Sequence, residues 1–307
     1  MSEDEVVTPA FGRPGPQTDT APDGTAQTVA PPAVPRPVRL IATDLDGTLL
    51  RDDKTVSERT VDALAAAERA GIEVFFVTGR PARWMDVVSD HVHGHGLAIC
   101  ANGAAVVDLH SGGRIVEVRA LERENAHAVV KALRAAEPAT TFAVEFTGGI
   151  HYEPGYPPFH LDPAATIAPA EELLAEHAER AGQQILKLLA HHPQLPPDAF
   201  LSLGCASAGM HASFTRSSPT ALLEISGLGV SKAATLARCC AERGIAPAEV
   251  MAFGDMPNDL EMLTWAGRSY AMANAHPDVL AATSGITHAN NEDGVAAMIE
   301  RILAEQV

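Results

Sequence analysis

The sequence predicts a doubly wound α/β fold, in which a Rossmann-like parallel sheet forms the core and an α+β domain is inserted into it. Short apolar runs alternate with helix-patterned segments near both ends of the chain, and this alternation favours parallel strand pairing. Between about Ala104 and Leu228 the rhythm of the pattern changes. We therefore expect a core formed by residues 38–103 and 229–307, with residues 104–228 as the insert.

Composition limits the kinds of partner that the protein can have. The chain has 307 residues, of which 46% are apolar, so it can bury a core. Its formal net charge is −17, which disfavours nucleic acid and anionic membranes as partners. No apolar run is long enough for a membrane span, and no basic start precedes an apolar stretch. A phosphate ligand would therefore need local hydrogen-bond donors and a cation.

The cysteines indicate a reducing compartment. None of the four is spaced as C-x-x-C. Cys239 and Cys240 are adjacent in a helical pattern and cannot readily pair with each other. The other two are Cys100 and Cys205. We therefore expect a reduced, cytoplasmic protein.

The first segment, from Met1 to about Pro37, differs from the rest of the chain. It contains eight prolines and almost no large apolar residue. Such a composition cannot offset the entropy lost on ordering by burying apolar surface. We expect residues 1–37 to be a disordered tail.

Each core element is justified by its local pattern. The run Val38–Asp44 is short and apolar and is followed by Gly47, which favours a buried strand. A helix is expected from Ser57, a suitable N-cap, to Ala70, with Gly71 ending it. The further predicted core strands are Ile72–Val77, Leu97–Cys100 and Val250–Phe253. The further predicted core helices are Pro81–Ser89, Lys232–Arg243 and Asp259–Trp265.

The insert is expected to contain both helices and strands. Its predicted helices are Glu122–Ala136, Ala170–Ala181 and Pro197–Cys205. Its predicted strands are Thr141–Phe146, Gln184–Ala190, Met210–Thr215 and Ala221–Ile225. This composition predicts an α+β unit.

Polar residues follow three of the predicted core strands. The sequence Asp44-Leu45-Asp46-Gly47-Thr48 follows the first, Thr78-Gly79 the second, and Asp255 through Asp259 the late strand. Ligands of open parallel sheets bind beyond the carboxyl ends of the strands. Carboxylates gathered at one edge repel each other unless a cation lies among them, and Mg²⁺ suits oxygen ligands.

Such a group of residues suits phosphoryl transfer, in which the protein positions groups and neutralises charge. An aspartate can attack the phosphorus and form an aspartyl-phosphate. A second carboxylate two residues on can protonate the leaving alcohol and then activate water. Thr78, the amides near Gly79 and a lysine can hold the phosphoryl oxygens.

Four segments, in order, resemble the motifs of the haloacid dehalogenase superfamily. They are Asp44-Leu45-Asp46-Gly47-Thr48-Leu49-Leu50, Thr78-Gly79-Arg80, Val230-Ser231-Lys232, and Gly254-Asp255 through Asn258-Asp259. The large gap after the second motif, with Asn102-Gly103-Ala104 and Leu223-Glu224-Ile225, resembles the Cof-type branch. That branch has a type IIB cap at the insert.

The resemblance implies a role for each motif residue. Asp44 would be the nucleophile and Asp46 the general acid and base, while Thr78 and Lys232 would bind the phosphoryl group with help from Gly79. The side chains of Asp44 and Asp255 and the backbone carbonyl of Asp46 would ligate Mg²⁺. Asn258 and Asp259 would orient the lysine, the metal waters or the nucleophile. Met256-Pro257 departs from the glycine that the family commonly has after the Asp255 position.

Several residues keep two interpretations. Arg80 either lines the substrate pocket or braces the sheet edge through an ion pair, and Asn102 either reaches the leaving group or shapes the hinge beside Gly103. Lys187 is expected at the edge of a cap strand with its amine towards solvent, the alternative being phosphate binding. His151-Tyr152-Glu153 is expected to be a surface turn, the alternative being contacts that set substrate specificity. His91, His93 and His95 are expected to lie in a solvated loop, the alternative being transition-metal binding.

The leading hypothesis is a Mg²⁺-dependent phosphatase of small phosphomonoesters. Resemblance makes sugar phosphates the first expected substrates, followed by phosphorylated cofactors such as flavin mononucleotide or pyridoxal phosphate. The alternatives are a phosphohexomutase-like transferase and a catalytically silent module that binds phosphometabolites. The insert would close over the substrate and choose the leaving group.

Overall fold

The computed structural model describes residues 37–89, 96–157, 162–176, 180–218 and 220–305. Apart from Pro37, the predicted tail lies outside the described residues, as do His91, His93 and His95. No helix in the described part of the chain combines the length and the apolar character needed to cross a bilayer.

The strands are, in chain order, β1 (Leu40–Thr43), β2 (Glu73–Val77), β3 (Leu97–Cys100), β4 (Ala105–Asp108), β5 (Arg114–Val118), β6 (Thr141–Phe146), β7 (Gly149–Tyr152), β8 (Ile185–His191), β9 (Ser213–Thr215), β10 (Leu222–Ser226), β11 (Val250–Gly254), β12 (Arg268–Ala271) and β13 (Gly285–Ile286). The helices are α1 (Glu58–Arg69), α2 (Asp86–Ser89), α3 (Arg123–Ala136), α4 (Ala170–Leu173), α5 (Pro197–Ala208), α6 (Lys232–Glu242), α7 (Leu260–Trp265), α8 (Pro277–Ala282) and α9 (Gly294–Glu305).

The larger sheet has the strand order β13-β12-β11-β1-β2-β3-β4-β5. Its strands from β13 to β3 pair in parallel, and β4 and β5 add an antiparallel edge. From β1 the chain builds outward through β2 and β3 on one side, and later through β11, β12 and β13 on the other. The strand order therefore reverses between β1 and β11, which is where open α/β sheets bind ligands.

Helices cover both faces of this sheet. Ile41 and Phe76 belong to a core that α1 and α9 complete, whereas their neighbours Leu40 and Phe75 face the core with α6, α7 and α8. Successive strand residues point to opposite faces, so strands buried on both faces are apolar at nearly every position. This explains the short apolar runs in the sequence, and the predicted α/β class is confirmed.

Local signals set several helix ends correctly. Ser57 caps α1 by accepting a hydrogen bond from the Thr60 amide at 3.1 Å.

Three predicted helices differ from the structure. The helix predicted over Pro81–Ser89 is divided into a 3₁₀ turn, Ala82–Trp84, and the short α2. The Pro197 helix runs to Ala208, three residues beyond the predicted end at Cys205. The helix predicted to start at Ala170 is described only as the single turn α4.

The smaller sheet has the order β7-β6-β8-β10-β9 and is antiparallel. One face packs on α3, α4 and α5 through residues such as Val144, Leu188 and Leu223. Their sequence neighbours Glu145, Lys187 and Glu224 belong to the opposite face by the two-residue period of a strand and line a cleft. The mixture of helices and antiparallel strands is the α+β composition expected of an insert.

All strands of the smaller sheet lie within the predicted insert 104–228. However, β4 and β5 also fall within that range and pair in the larger sheet. Strand pairing alone would start the inserted unit after Val118. The boundaries of the insert stay a prediction.

Candidate active site

Two predicted site aspartates follow adjacent parallel strands. Asp44 comes directly after β1 and Asp255 directly after β11, and Thr43 is in register with Phe253. One carboxylate oxygen each from Asp44, Asp255 and Asp259 lie within 4.8 Å of one another. The first and last motifs therefore meet at one edge of the larger sheet.

A buried lysine joins two of these carboxylates. The Nζ of Lys232 lies 2.6 Å from Asp44 Oδ1 and 2.7 Å from Asp259 Oδ1. Lys232 begins α6, where the Ser231 side chain accepts from the Ala234 amide. Burial alone would lower the pKa of Lys232, but the carboxylates of Asp259 and Asp44 raise it above its usual value. The lysine is therefore a fixed positive charge in the site.

The carboxylates outnumber this charge. Burial raises the pKa of Asp44 to about 7, with repulsion from Asp259 and Asp46 adding to the effect and Lys232 opposing it. Burial likewise raises the pKa of Asp255 to about 8, and the carboxylates of Asp44 and Asp259 reinforce the shift. An excess of buried carboxylate oxygens is the environment in which a hard divalent cation is stabilised. The donor set therefore fits Mg²⁺.

Asp259 has its oxygens occupied by the protein. Its Oδ1 accepts from Lys232, and its Oδ2 accepts from the amides of Asp255 and Met256, both at 3.1 Å. Pro257 opens the 3₁₀ turn Pro257–Asp259, where a missing N–H has little cost. The turn thus accommodates Met256-Pro257 where the family commonly has glycine after the Asp255 position. Asp259 contacts Lys232, and orienting the lysine is one of the three roles that the sequence left open.

The turn after β1 is shaped to admit Asp255. Gly47 has a φ of +78°, and a Cβ at this position would lie 2.2 Å from Asp255 Oδ2. Thr48 is buried and its Oγ1 donates to Asp255 Oδ1 at 3.2 Å. Only glycine combines this backbone conformation with so close an approach.

Asp46 is directed to a different set of partners. Its carboxylate accepts a two-point contact from Arg80, with Nε at 2.6 Å and Nη2 at 2.7 Å, and a third bond from Lys54 at 2.9 Å. Partial burial acts in the opposite direction, yet the bonds from Arg80 and Lys54 lower the pKa of Asp46 to about 2. The side chain is 43% exposed, and its backbone carbonyl as a metal ligand stays a prediction.

The loop after β2 supplies the predicted phosphate-binding residues. Thr78 is buried, and its Oγ1 accepts from the Arg80 amide at 3.1 Å. Thr78, Gly79 and Arg80 line the same cleft as Asp44 and Asp255. Arg80 therefore combines both of its interpretations, since it lines the cleft and forms an ion pair.

Asn102 shapes the turn beside Gly103, the second of its two predicted roles; it is not among the residues that line the cleft, so contact with the leaving group stays a prediction. Its φ is +55°, a left-handed conformation that asparagine tolerates, so it shapes the turn after β3. Its side chain donates to Glu224 Oε2 at 2.8 Å and accepts from Asn258 Nδ2 at 3.1 Å. Asn258 therefore contacts Asn102.

Lys187 and Glu224 form a buried ion pair that the sequence interpretation missed. Lys187 lies on β8, an interior strand, and is only 4% exposed, so the predicted solvent-directed lysine is wrong. Its Nζ donates to Glu224 Oε1 at 2.7 Å and to the carbonyl oxygen of Gly79 at 2.8 Å. The available signal was one charged residue of each sign inside two otherwise apolar strand runs.

The predicted surface turn at His151-Tyr152-Glu153 is also wrong, since His151 and Tyr152 belong to β7 and Tyr152 is buried. Glu153 is buried, pairs with Arg134, and accepts from the amides of Phe142 and Ala170. It is not among the residues that line the cleft. Its role is to anchor β6 and α4.

The cleft has a volume of about 710 Å³. The carboxyl end of the larger sheet forms its base, and the open face of the smaller sheet lies across it. Trp84, Ile150, Leu189 and Leu222 provide an apolar wall. Glu145 lies among them, buried and paired with Arg83. The base has the charges for a phosphate and a cation, and the wall suits an apolar ring.

Comparison with known proteins agrees with this geometry. A family model for haloacid dehalogenase-like hydrolases matches residues 41–299. The 5-amino-6-(5-phospho-D-ribitylamino)uracil phosphatase YitU of Bacillus subtilis is 30% identical over 269 residues, covering 85% of this chain and 96% of that protein. Pyridoxal phosphate phosphatase YbhA of Escherichia coli is 29% identical over 281 residues, covering 85% and 97%.

Solved structures share the fold. The structure of BT1666 from Bacteroides thetaiotaomicron, described among phosphatases of the haloalkanoate (HAD) superfamily, superposes with a TM-score of 0.71 at 23% identity. The match covers 90% of this chain and 98% of that one. The resemblance therefore extends over both sheets and not over isolated motifs.

Proposed function

The chain belongs to the haloacid dehalogenase-like hydrolase family, and we propose that it is a Mg²⁺-dependent phosphatase that hydrolyses small phosphomonoesters through an aspartyl-phosphate on Asp44. One observation carries the proposal. The Asp44 carboxylate is buried at the base of a cleft, held by Lys232 and adjacent to Asp255 and Asp259. A nucleophile, a fixed cation and ligands for a metal thus share one site.

Asp44 and Asp255 would hold the ion, with the Asp46 carbonyl as a third protein ligand by family resemblance. When bound, Mg²⁺ would reduce repulsion between the carboxylate and the phosphate. One Asp44 oxygen attacks phosphorus while the bond to the leaving oxygen breaks. Lys232 fixes the orientation of Asp44, and the Thr78 hydroxyl and Gly79 amide hold phosphoryl oxygens.

Asp46 would move the protons of both steps. As a carboxylic acid it protonates the leaving oxygen, and as a carboxylate it then takes a proton from the water that attacks phosphorus. The contacts of Arg80 and Lys54 keep Asp46 ionised in this structure. A substrate that engages Arg80 would weaken that contact and let Asp46 take up a proton.

The cleft supports ring-bearing phosphate esters ahead of simple sugar phosphates. Ile150, Leu189 and Leu222 form an aliphatic surface on the smaller sheet, and Trp84 also contributes to the apolar wall. Two of the relatives act on molecules in which a nitrogen heterocycle carries a phosphorylated arm. Such a ring would bury apolar area that a polyhydroxylated sugar lacks.

A phosphate-release screen over several dozen phosphometabolites, with and without Mg²⁺, tests the proposal. We expect Mg²⁺-dependent release from wild type and from the control Asp62→Asn, in which an exposed carboxylate of α1 is replaced. Asp44→Asn should lose turnover, and acid-quenched wild-type enzyme should carry one phosphoryl group by mass spectrometry. Full Mg²⁺-dependent turnover by Asp44→Asn would refute the assignment.

The two alternative functions, a phosphohexomutase-like transferase and a catalytically silent binding module, predict different outcomes. A mutase would convert a hexose 1-phosphate into the 6-phosphate rather than release phosphate. A silent module would bind a ligand tightly with no turnover. The presence of both Asp44 and Asp46 at the cleft supports the phosphatase over the silent module. A cytoplasmic location remains a prediction from the cysteine spacing.

A further inference from the structure

The two peptide groups on either side of Gly79 are each held by a residue from another part of the chain. The backbone amide of Asn102 donates to the carbonyl oxygen of Thr78 at 3.0 Å. That carbonyl belongs to the same planar peptide group as the Gly79 amide. Asn102 therefore fixes the orientation of the amide that is proposed to bind a phosphoryl oxygen.

The second peptide group is held by Lys187. Its Nζ donates to the Gly79 carbonyl oxygen at 2.8 Å, and the Arg80 amide of the same peptide donates to Thr78 Oγ1 at 3.1 Å. The Thr78 hydroxyl thus accepts one bond from the protein and keeps its own hydrogen to donate. Lys187 therefore influences the orientation of the hydroxyl proposed to bind phosphate.

The Glu224 carboxylate connects Lys187 and Asn102, the two residues that anchor these peptide groups. Glu224 Oε1 accepts from Lys187 at 2.7 Å, while Oε2 accepts from Asn102 Nδ2 at 2.8 Å and from Ser217 Oγ at 2.9 Å. Glu224 is 5% exposed. A Cβ on Gly79 would lie 3.5 Å from the Glu224 oxygens. The carboxylate therefore lies directly against the loop that it would position.

We propose that Glu224 is a positioning residue which, through Lys187 and Asn102, sets both peptide groups that flank Gly79 and so the phosphate-binding donors of Thr78 and Gly79. The inference rests on the proposed function of this loop. Glu224 and Lys187 lie on β10 and β8 of the smaller sheet, whereas the loop follows β2 of the larger one. The phosphate-binding loop thus has its full set of anchors only when the two sheets are in contact.

Three variants test the proposal: Glu224→Gln, Lys187→Met and the double variant. The readouts are kcat and KM for p-nitrophenyl phosphate and the inhibition constant for inorganic phosphate. We expect each single variant to raise KM and the phosphate inhibition constant by about tenfold to a hundredfold, since small displacements of positioning groups have effects of this size. The double variant should be no worse than the more impaired single variant, because the residues act as one unit.

The double variant also guards against misfolding, because it leaves no unpaired buried charge. Glu153→Gln is the matched control, since it neutralises a buried, arginine-paired carboxylate of the same region that does not line the cleft. It should lower the unfolding temperature and leave KM and the phosphate inhibition constant unchanged. Wild-type constants in Glu224→Gln, or additive effects in the double variant, would overturn the proposal.

Hydrogen–deuterium exchange separates this proposal from the proposed function. In the absence of substrate, the Arg80 amide should exchange faster in Glu224→Gln and Lys187→Met than in wild type or Glu153→Gln. If wild type hydrolyses no phosphoester but this difference is observed, the phosphatase assignment fails and the anchoring stands. If wild type is active and the exchange rates are equal, the anchoring is refuted and the phosphatase assignment stands.

Discussion

The Lys232 ammonium donates a 2.6 Å hydrogen bond to Asp44 Oδ1, although the two residues are 188 positions apart in the chain. Both are buried, and Lys232 is only 1% exposed. The same ammonium reaches Asp259 at 2.7 Å. Burial raises the pKa of the proposed nucleophile, and the lysine at the start of α6 opposes that rise.

Replacing Lys232 by methionine should change both rate and pH dependence. The neutral side chain removes the attraction that lowers the pKa of Asp44, so the carboxyl keeps its proton to higher pH. We expect kcat to fall by about a hundredfold or more, and the acidic limb of the kcat/KM profile between pH 5 and 9 to move upward. Lys131→Met, an exposed lysine of α3, is the control. An acidic limb that stays in place would show that Lys232 does not control the nucleophile.

Metal binding should become tighter as pH rises. Folding raises the pKa of Asp44 from 3.8 to about 7 and the pKa of Asp255 from 3.8 to about 8. From the lower value up to the raised ones, the metal-free folded protein therefore binds more protons than the unfolded chain. Its free energy of unfolding should therefore decrease as pH rises across this window. Mg²⁺ requires the ionised carboxylates, so binding releases protons.

Thermal unfolding with EDTA and with Mg²⁺, at pH 5.5 and pH 8, measures this effect. The stabilisation by Mg²⁺ should be larger at pH 8. Calorimetric titration in two buffers of different ionisation enthalpy should show proton release. A Mg²⁺ effect that is the same at both pH values would contradict the shifted carboxylates.

Local patterns were sufficient to predict four strands of the larger sheet, β1, β2, β3 and β11, and the placement of the motif aspartates. Each of these four strands has its own apolar run, and parallel topology brings the carboxyl ends of β1 and β11 to the same edge. Asp44 and Asp255 could therefore be predicted to meet from positions in the sequence alone. Ser57 and Gly71 similarly marked the ends of α1 because capping is a local interaction.

The side-chain partners could not be predicted in the same way, because they depend on contacts between distant segments. The bond from Lys187 to Gly79 joins residues 108 positions apart, and nothing near Lys187 in the sequence indicates it. The strands β4 and β5 were not predicted, and their residues were assigned to the insert, since a local pattern does not state which sheet a segment joins. Asp46 was assigned by motif, whereas its pairing with Arg80 required the folded structure.

Gly47→Ala should weaken Mg²⁺ binding, and its loss of folding stability should be similar to that of a control variant. The new Cβ would require a left-handed conformation and would lie 2.2 Å from Asp255 Oδ2, so Asp255 must move. Gly71→Ala is the matched control, since φ is +80° there and no atom lies within 4 Å of the added Cβ. Both variants should lose about 1 kcal/mol of stability through backbone strain. Only Gly47→Ala should require a higher Mg²⁺ concentration for half-maximal activity, and an equal requirement in the two variants would contradict this account.

Asp46→Asn should separate the two chemical steps. A p-nitrophenolate leaving group needs no proton, whereas an alkyl leaving group does, so the first step should survive with p-nitrophenyl phosphate and fail with alkyl phosphates. The second step needs a base with either substrate. We therefore expect a burst of one equivalent of p-nitrophenolate, followed by turnover about a hundredfold or more below wild type, with phosphorylated Asp44 accumulating in acid-quenched samples. Asp44→Asn should give no burst. If Asp46→Asn lost the first step equally with aryl and alkyl esters, Asp46 would not be the proton donor, and its pairing with Arg80 would have only a structural role.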